Sequence, residues 1–179
     1  MENSTVTNLP LKSAELPILA SLPVEPVSAR YRALNLGLSV FFTLFVTVIL
    51  AIVHFQPWFE LPFEGQVAVT VAAIIIFTIG SLTFAYHFFA DRLIFYTVRE
   101  QDIILYKGLF FKKVICQPVL RIQHIDIQRG PFERYFGLAT LKVYSAGGSD
   151  HTLAIPGLPK DIAERLRQFV LNHSDLTRD

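Results

Sequence analysis

The chain has 179 residues, 52% of them hydrophobic and only 17% charged, and a mean hydropathy of +0.44, which is too apolar for an ordinary soluble domain. With 16 Lys plus Arg against 15 Asp plus Glu the formal net charge is +1, so a strongly basic nucleic-acid surface and an acidic solvating tail are both excluded. The single cysteine, Cys116, rules out an intramolecular disulfide and a thiolate zinc site and is expected to be a buried apolar filler.

Residues 1–30 scatter Pro10, Pro17, Pro23 and Pro26 among Ser, Thr and Glu, a composition that predicts a disordered tail. Residues 34–55 and 66–89 then form two runs with no charged side chain. Each reaches the roughly 20 residues a helix needs to cross the bilayer core, and neither shows the polar stripe of a soluble amphipathic helix. Residues 31–90 are therefore predicted to form a transmembrane hairpin. No short basic region leads into the first span, so it is expected to remain in the mature protein rather than act as a cleaved signal.

The loop between the spans holds Glu60 and Glu64 but no Lys or Arg, whereas Arg30 and Arg32 precede the first span and Arg92 and Arg99 follow the second. The positive-inside rule places both termini in the cytoplasm. Trp58, Phe59, Tyr31 and Tyr86 stand where aromatic rings anchor at the water–lipid boundary. Ser39, Thr43, Thr47 and Ala51 recur every four residues, as do Ser81 and Ala85, a spacing that permits close helix approach. It serves either packing within the hairpin or pairing with another membrane protein.

From residue 91 the pattern changes to that of a folded domain, extending to 173 and followed by a short tail, 174–179. Strands are predicted at 92–98 and 103–107 around the polar turn Arg99-Glu100-Gln101-Asp102, and a third at 110–116. At 123–128, Ile125 and Ile127 alternate with His124, Asp126 and Gln128, a period of two that marks a half-buried strand. Residues 132–136 read as one helical turn stopped by Gly137. Strands at 138–145 and 151–155 flank a hairpin connection containing Gly147 and Gly148. Ile162, Leu166, Phe169, Val170 and His173 then follow helical spacing, with Pro159 near the first turn. Strands closed by one helix give an α+β fold or a small barrel.

The run Gln117-Pro118-Val119-Leu120-Arg121-Ile122, continuing through Arg129-Gly130-Pro131-Phe132 to Leu141, and then Ala146-Gly147-Gly148 and Ile155-Pro156-Gly157-Leu158, closely resembles the bacterial pleckstrin-homology-like family, also called the membrane-flanked domain family. The resemblance implies a strongly bent antiparallel β-sheet or barrel with a C-terminal capping helix, behind a two-helix transmembrane hairpin in a bacterial cytoplasmic (inner) membrane. It implies no reaction. Related eukaryotic domains that bind phosphoinositides use basic residues in the first hairpin, and here that turn, Arg99 to Asp102, is net acidic.

The five histidines, His54, His87, His124, His151 and His173, show no metal-pair spacing. His54 and His87 sit at opposite ends of the hairpin and read as interfacial side chains. His124 and Asp126 share a strand face at about 7 Å, but no nucleophile, Gly-rich phosphate loop or His-Glu-x-x-His motif accompanies them. No enzyme activity, cofactor or metal is expected. The preferred reading is a membrane-tethered scaffold that recognises a protein partner, gaining effective concentration from its spans. That partner is expected to be another membrane protein, of the same family or a second copy. Its candidate contacts are His124, Asp126, Gln128, Arg129, Phe132, Arg134 and Tyr135, although the same segment also builds the fold. The alternative is a sensor of anionic lipid headgroups, with Phe110, Phe111, Lys112 and Lys113 touching membrane lipid, residues that equally suit a solvated turn.

Overall fold

A computed structural model describes residues 23–57, 62–145 and 153–175, with side chains up to residue 172. Most of the expected tail, Trp58 and Phe59, the Gly147-Gly148 turn, His151 and the side chain of His173 lie outside the described residues.

Two apolar helices, α1 (Ala29–Phe55) and α2 (Phe63–Ala90), are each long enough to cross a membrane. At 1.5 Å per residue each measures roughly 40 Å. Phe41, Phe45, Ile52, Ile74 and Leu82 project outward and stay exposed, as lipid-facing side chains should. The helices meet where Gly80 passes Thr43, so closely that a Cβ on Gly80 would collide with the threonine side chain. Thr43 Oγ1 donates to the Ser39 carbonyl at 2.6 Å and Ser39 Oγ to that of Leu36 at 2.9 Å, so these hydroxyls are satisfied within their own helix. Part of the small-residue stripe thus serves the hairpin itself, with Gly80 as its counterpart.

The domain is built from two antiparallel sheets. The first has the order β1 (Glu25–Pro26), β2 (Phe95–Val98), β3 (Asp102–Lys107), β4 (Lys113–Pro118); the second has β5 (Ile122–Gln128), β6 (Leu138–Ser145), β7 (Leu153–Pro159). A short helix, α3 (Pro131–Tyr135), joins β5 to β6, and α4 (Lys160–Asp175) closes the domain. Inward residues of both sheets, among them Ile103, Leu105, Ile125, Leu141, Val143, Leu153 and Ile155, form one core with Ala163 and Val170 of α4. Burying such side chains, at about 1.5–3 kcal/mol each, is the main stabilising term.

Several features differ from the sequence reading, the run of β7 to Pro159 rather than 155 among them. Asp91–Leu93 is a 3₁₀ turn continuing α2, so β2 begins only at Phe95. The third strand begins at Lys113 rather than 110, because Gly108 adopts φ +120° and turns the chain, leaving Phe110 and Phe111 in the connection. Residues 23–28, grouped with the tail by composition, are part of the fold. Pro26 pairs with Phe95, Val27 N donates to the Ile94 carbonyl at 3.3 Å, and Thr97 Oγ1 donates to that of Pro23 at 2.7 Å. A proline is tolerated there because β1 is an edge strand. Tyr96 donates its hydroxyl to Glu25 at 2.8 Å; desolvation and the bond to Glu25 raise its pKa, so it remains a donor.

Cys116 corrects the expectation of a buried filler: it is exposed. On β4, Ile115 and Gln117 turn toward the interior, and strand alternation sends Cys116 outward. Its thiol pKa is raised by desolvation first and then by the neighbouring Asp102 carboxylate, which makes it a poor nucleophile.

Candidate functional site

Three surfaces and one internal joint gather the polar and aromatic residues that the core does not use. The joint lies at the open end of the hairpin. Asp91, just past α2, is buried; it accepts a hydrogen bond from Asn35 Nδ2 at 2.8 Å and lies 3.2 Å from His87 Nδ1. Tyr31 lies one turn before Asn35 on α1. Phe88 carries the Arg32 guanidinium 4.5 Å from its ring centroid and that of Arg92 at 4.8 Å, a cation–π arrangement at the hairpin base. On the domain side, Ser28 N donates to the Gly157 carbonyl at 3.1 Å, and a Cβ at Gly157 would run into the Tyr31 ring.

None of Asn35, Asp91 or Gly157 stood out as functional from sequence. The available signal was slight: Asn35 is the one amide inside the first uncharged run, and Asp91 is the first charge after the second. Replacing Asp91 with alanine strands the Asn35 donor, and a lost buried partner costs about 1–3 kcal/mol. Thermal unfolding of the full chain in detergent should show that loss. The Asn35→Ala, Asp91→Ala double variant should lose less than the sum of the single changes, as expected for groups in direct contact.

The first surface is the β3–β4 turn. Because β2 leaves the hairpin at Phe95 and pairs antiparallel with β3, Tyr106 lies opposite Phe95, and residues 108–112 return to the hairpin end of the domain. Phe110 and Phe111 are 83% and 91% exposed there, beside the exposed Lys112 and Lys113. All four predicted lipid-contact residues are thus brought together.

The second surface is α3, which sits beside the start of α1. Its turn is fixed by Glu133, which accepts from Gly130 N at 2.8 Å and from Thr140 Oγ1 at 2.9 Å. Arg129 Nε donates to the Leu138 carbonyl at 3.0 Å, so this residue braces the connection. Phe132, Arg134 and Tyr135 are exposed, Tyr135 to 87%.

The third surface belongs to β5. His124, Asp126 and Gln128 alternate with the buried Ile125 on its outward face; the His124 ring lies 5.6 Å from that of Tyr144. Ile127, Glu164, Arg167 and Leu171 line a groove between β5 and α4. The predicted partner set is therefore divided between the β5 face and α3.

At the far end of the domain, the β2–β3 turn is an internal ion pair. Arg99 Nε donates to Asp102 Oδ1 at 2.6 Å and Nη2 bonds the other carboxylate oxygen, holding the Asp102 carboxyl below its usual range. The turn has little cationic character to offer an anion. Among the described residues no cluster of three or more His, Cys, Asp or Glu could hold a metal ion.

Residues 33–174 match the family model described as Bacterial PH domain, which takes in nearly all of the hairpin and everything from β2 to α4. The chain belongs to the bacterial PH domain family. The family resemblance read from the 117–141 segment and its fold is borne out, and the two packed sheets with α4 are the family's domain. The chain is 33% identical over 84 residues to the UPF0699 transmembrane protein YdbS of Bacillus subtilis (strain 168), covering 47% of this chain and 51% of that protein. It is 31% identical over 75 residues to the UPF0699 transmembrane protein YdbT of the same strain, covering 42% of this chain and 14% of that protein. This bacterial PH domain protein thus spans about half the length of the first relative and less of the second. No solved structure matches it.

Proposed function

We propose that this protein is a membrane-tethered, non-catalytic binding module whose PH domain takes up an extended segment of a protein partner along β5. The observation that carries the reading is the position of β5. Among the described residues it pairs only with β6, and the groove against α4 runs beside it. An edge strand offers main-chain donors and acceptors to an added strand, while Ile122 and Ile127 give apolar contacts and Arg167 a charge to select an acidic side chain. Two spans hold this edge near the bilayer, so a partner in the same membrane, a family relative or a second copy, meets it at raised effective concentration. Arg30, Arg32 and Arg92 at the open end of the hairpin support a cytoplasmic side for the domain and both termini, in a bacterial inner membrane.

A photo-crosslinking side chain introduced at Gln123 of the full chain, in its own membrane, should give one adduct of defined mass. The same group at Glu100, on the far turn, should give little. Arg167→Glu, an exposed change, should reduce the Gln123 adduct several-fold. Equal labelling from the two positions would overturn the reading.

A further inference from the structure

We infer that the domain is also seated on the bilayer through two aromatic turns, the β3–β4 turn and α3, which dip into the anionic leaflet on the domain's side. This seat is independent of the β5 groove and uses other residues.

The β3–β4 turn returns to the hairpin end because Tyr106 pairs with Phe95, directly after the 3₁₀ turn that ends α2. The other turn, α3, lies beside the first turn of α1, and Gly137 behind it approaches within 4.0 Å of the Arg30 guanidinium, measured from an ideal Cβ. One turn projects from each sheet.

Phe110 and Phe111 are almost wholly exposed, and Phe132 and Tyr135 on α3 and Phe136 just past it are exposed. Five large aromatics on two short connections are an apolar surface that water disfavours, and aromatic rings favour the headgroup level of a membrane. Lys112 and Lys113 flank one pair of rings and Arg134 lies within the other group, where cations meet an anionic leaflet and their stems cover apolar surface. The bilayer is favoured over a protein as occupant because the same chain already spans it at this end, with Arg32, Arg92 and Phe88 stacked at the hairpin base. Three supports, the hairpin and two turns, fix the tilt of the domain as well as its distance from the membrane.

The test uses the full chain with Trp58→Phe, reconstituted in vesicles of phosphatidylcholine and phosphatidylglycerol with brominated acyl chains. Single tryptophans are introduced as F111W, Y135W or, on the far turn, E100W; all three sites are exposed, so the fold is undisturbed. Bromine should quench F111W and Y135W several-fold more strongly than E100W. Lys112→Glu with Lys113→Glu should reduce the quenching of F111W, and more so with phosphatidylglycerol than in phosphatidylcholine alone. Quenching of F111W no stronger than that of E100W would overturn the seat, as would quenching at one turn and not the other.

Discussion

A valine at Gly157 should loosen the domain from its hairpin and lower the stability of the full chain by about 2–5 kcal/mol. Two separate effects add. Gly157 holds φ +66°, where an L side chain costs about 1–2 kcal/mol. A Cβ there also meets the Tyr31 ring, and overpacking of a tight contact costs about 1–3 kcal/mol. Thermal unfolding in detergent gives the total, and limited proteolysis of the segment before α1 should quicken as Tyr31 is displaced. The two effects can be told apart. Gly157→Ala combined with Tyr31→Gly clears the atoms that the new Cβ meets, the Tyr31 Cβ included, and keeps the backbone strain, so it should recover only part of the loss. A Gly157→Ala variant as stable as the parent would show that α1 and β7 are not in close contact.

Within the membrane, the largest effect is expected from Gly80→Val. Helices in lipid associate through close packing rather than the hydrophobic effect, and Gly80 is where α2 comes closest to the Thr43 side chain. The added side chain forces the helices apart at their crossing, with a loss of about 1–3 kcal/mol. Thr43→Gly in the same chain should restore most of the unfolding temperature, because it clears the atoms that the valine meets. Failure of that rescue, with Gly80→Val as damaging as before, would locate the damage elsewhere on α2.

The hairpin was legible because two uncharged runs of spanning length leave a helix in lipid few alternatives. The domain was legible from alternation at 123–128 and 138–145 and from the family-like run through Gly130 and Gly137. What escaped were features that sequence distance hides. Asn35 and Asp91 are 56 residues apart, and no local period links an amide at one helix start to a carboxylate after another helix. Glu25 and Pro26 make a strand of two residues, too short to alternate and carrying a proline that reads as linker. Phe110 and Phe111 have strong strand propensity, yet the left-handed Gly108 puts them in the turn. The candidate residues were found as types rather than as a surface. Phe132, Arg134 and Tyr135 sit with α3, Arg129 braces a carbonyl, and His124, Asp126 and Gln128 face outward on β5.

The pairing of β1 with β2 carries one more consequence. These neighbouring strands are joined by the whole hairpin, from Ala29 to Ala90, so in topological terms the membrane segment is an insertion between two adjacent strands of a sheet. A fragment beginning at Asp91 would keep β2 but lose its outer neighbour, together with Val27 from the core and the Glu25 acceptor of Tyr96. It would expose a bare strand edge of the kind that recruits other chains into aggregates. The domain completes itself only from both sides of the bilayer segment, and a soluble version needs residues 23–28 rejoined to β2 by a short artificial loop.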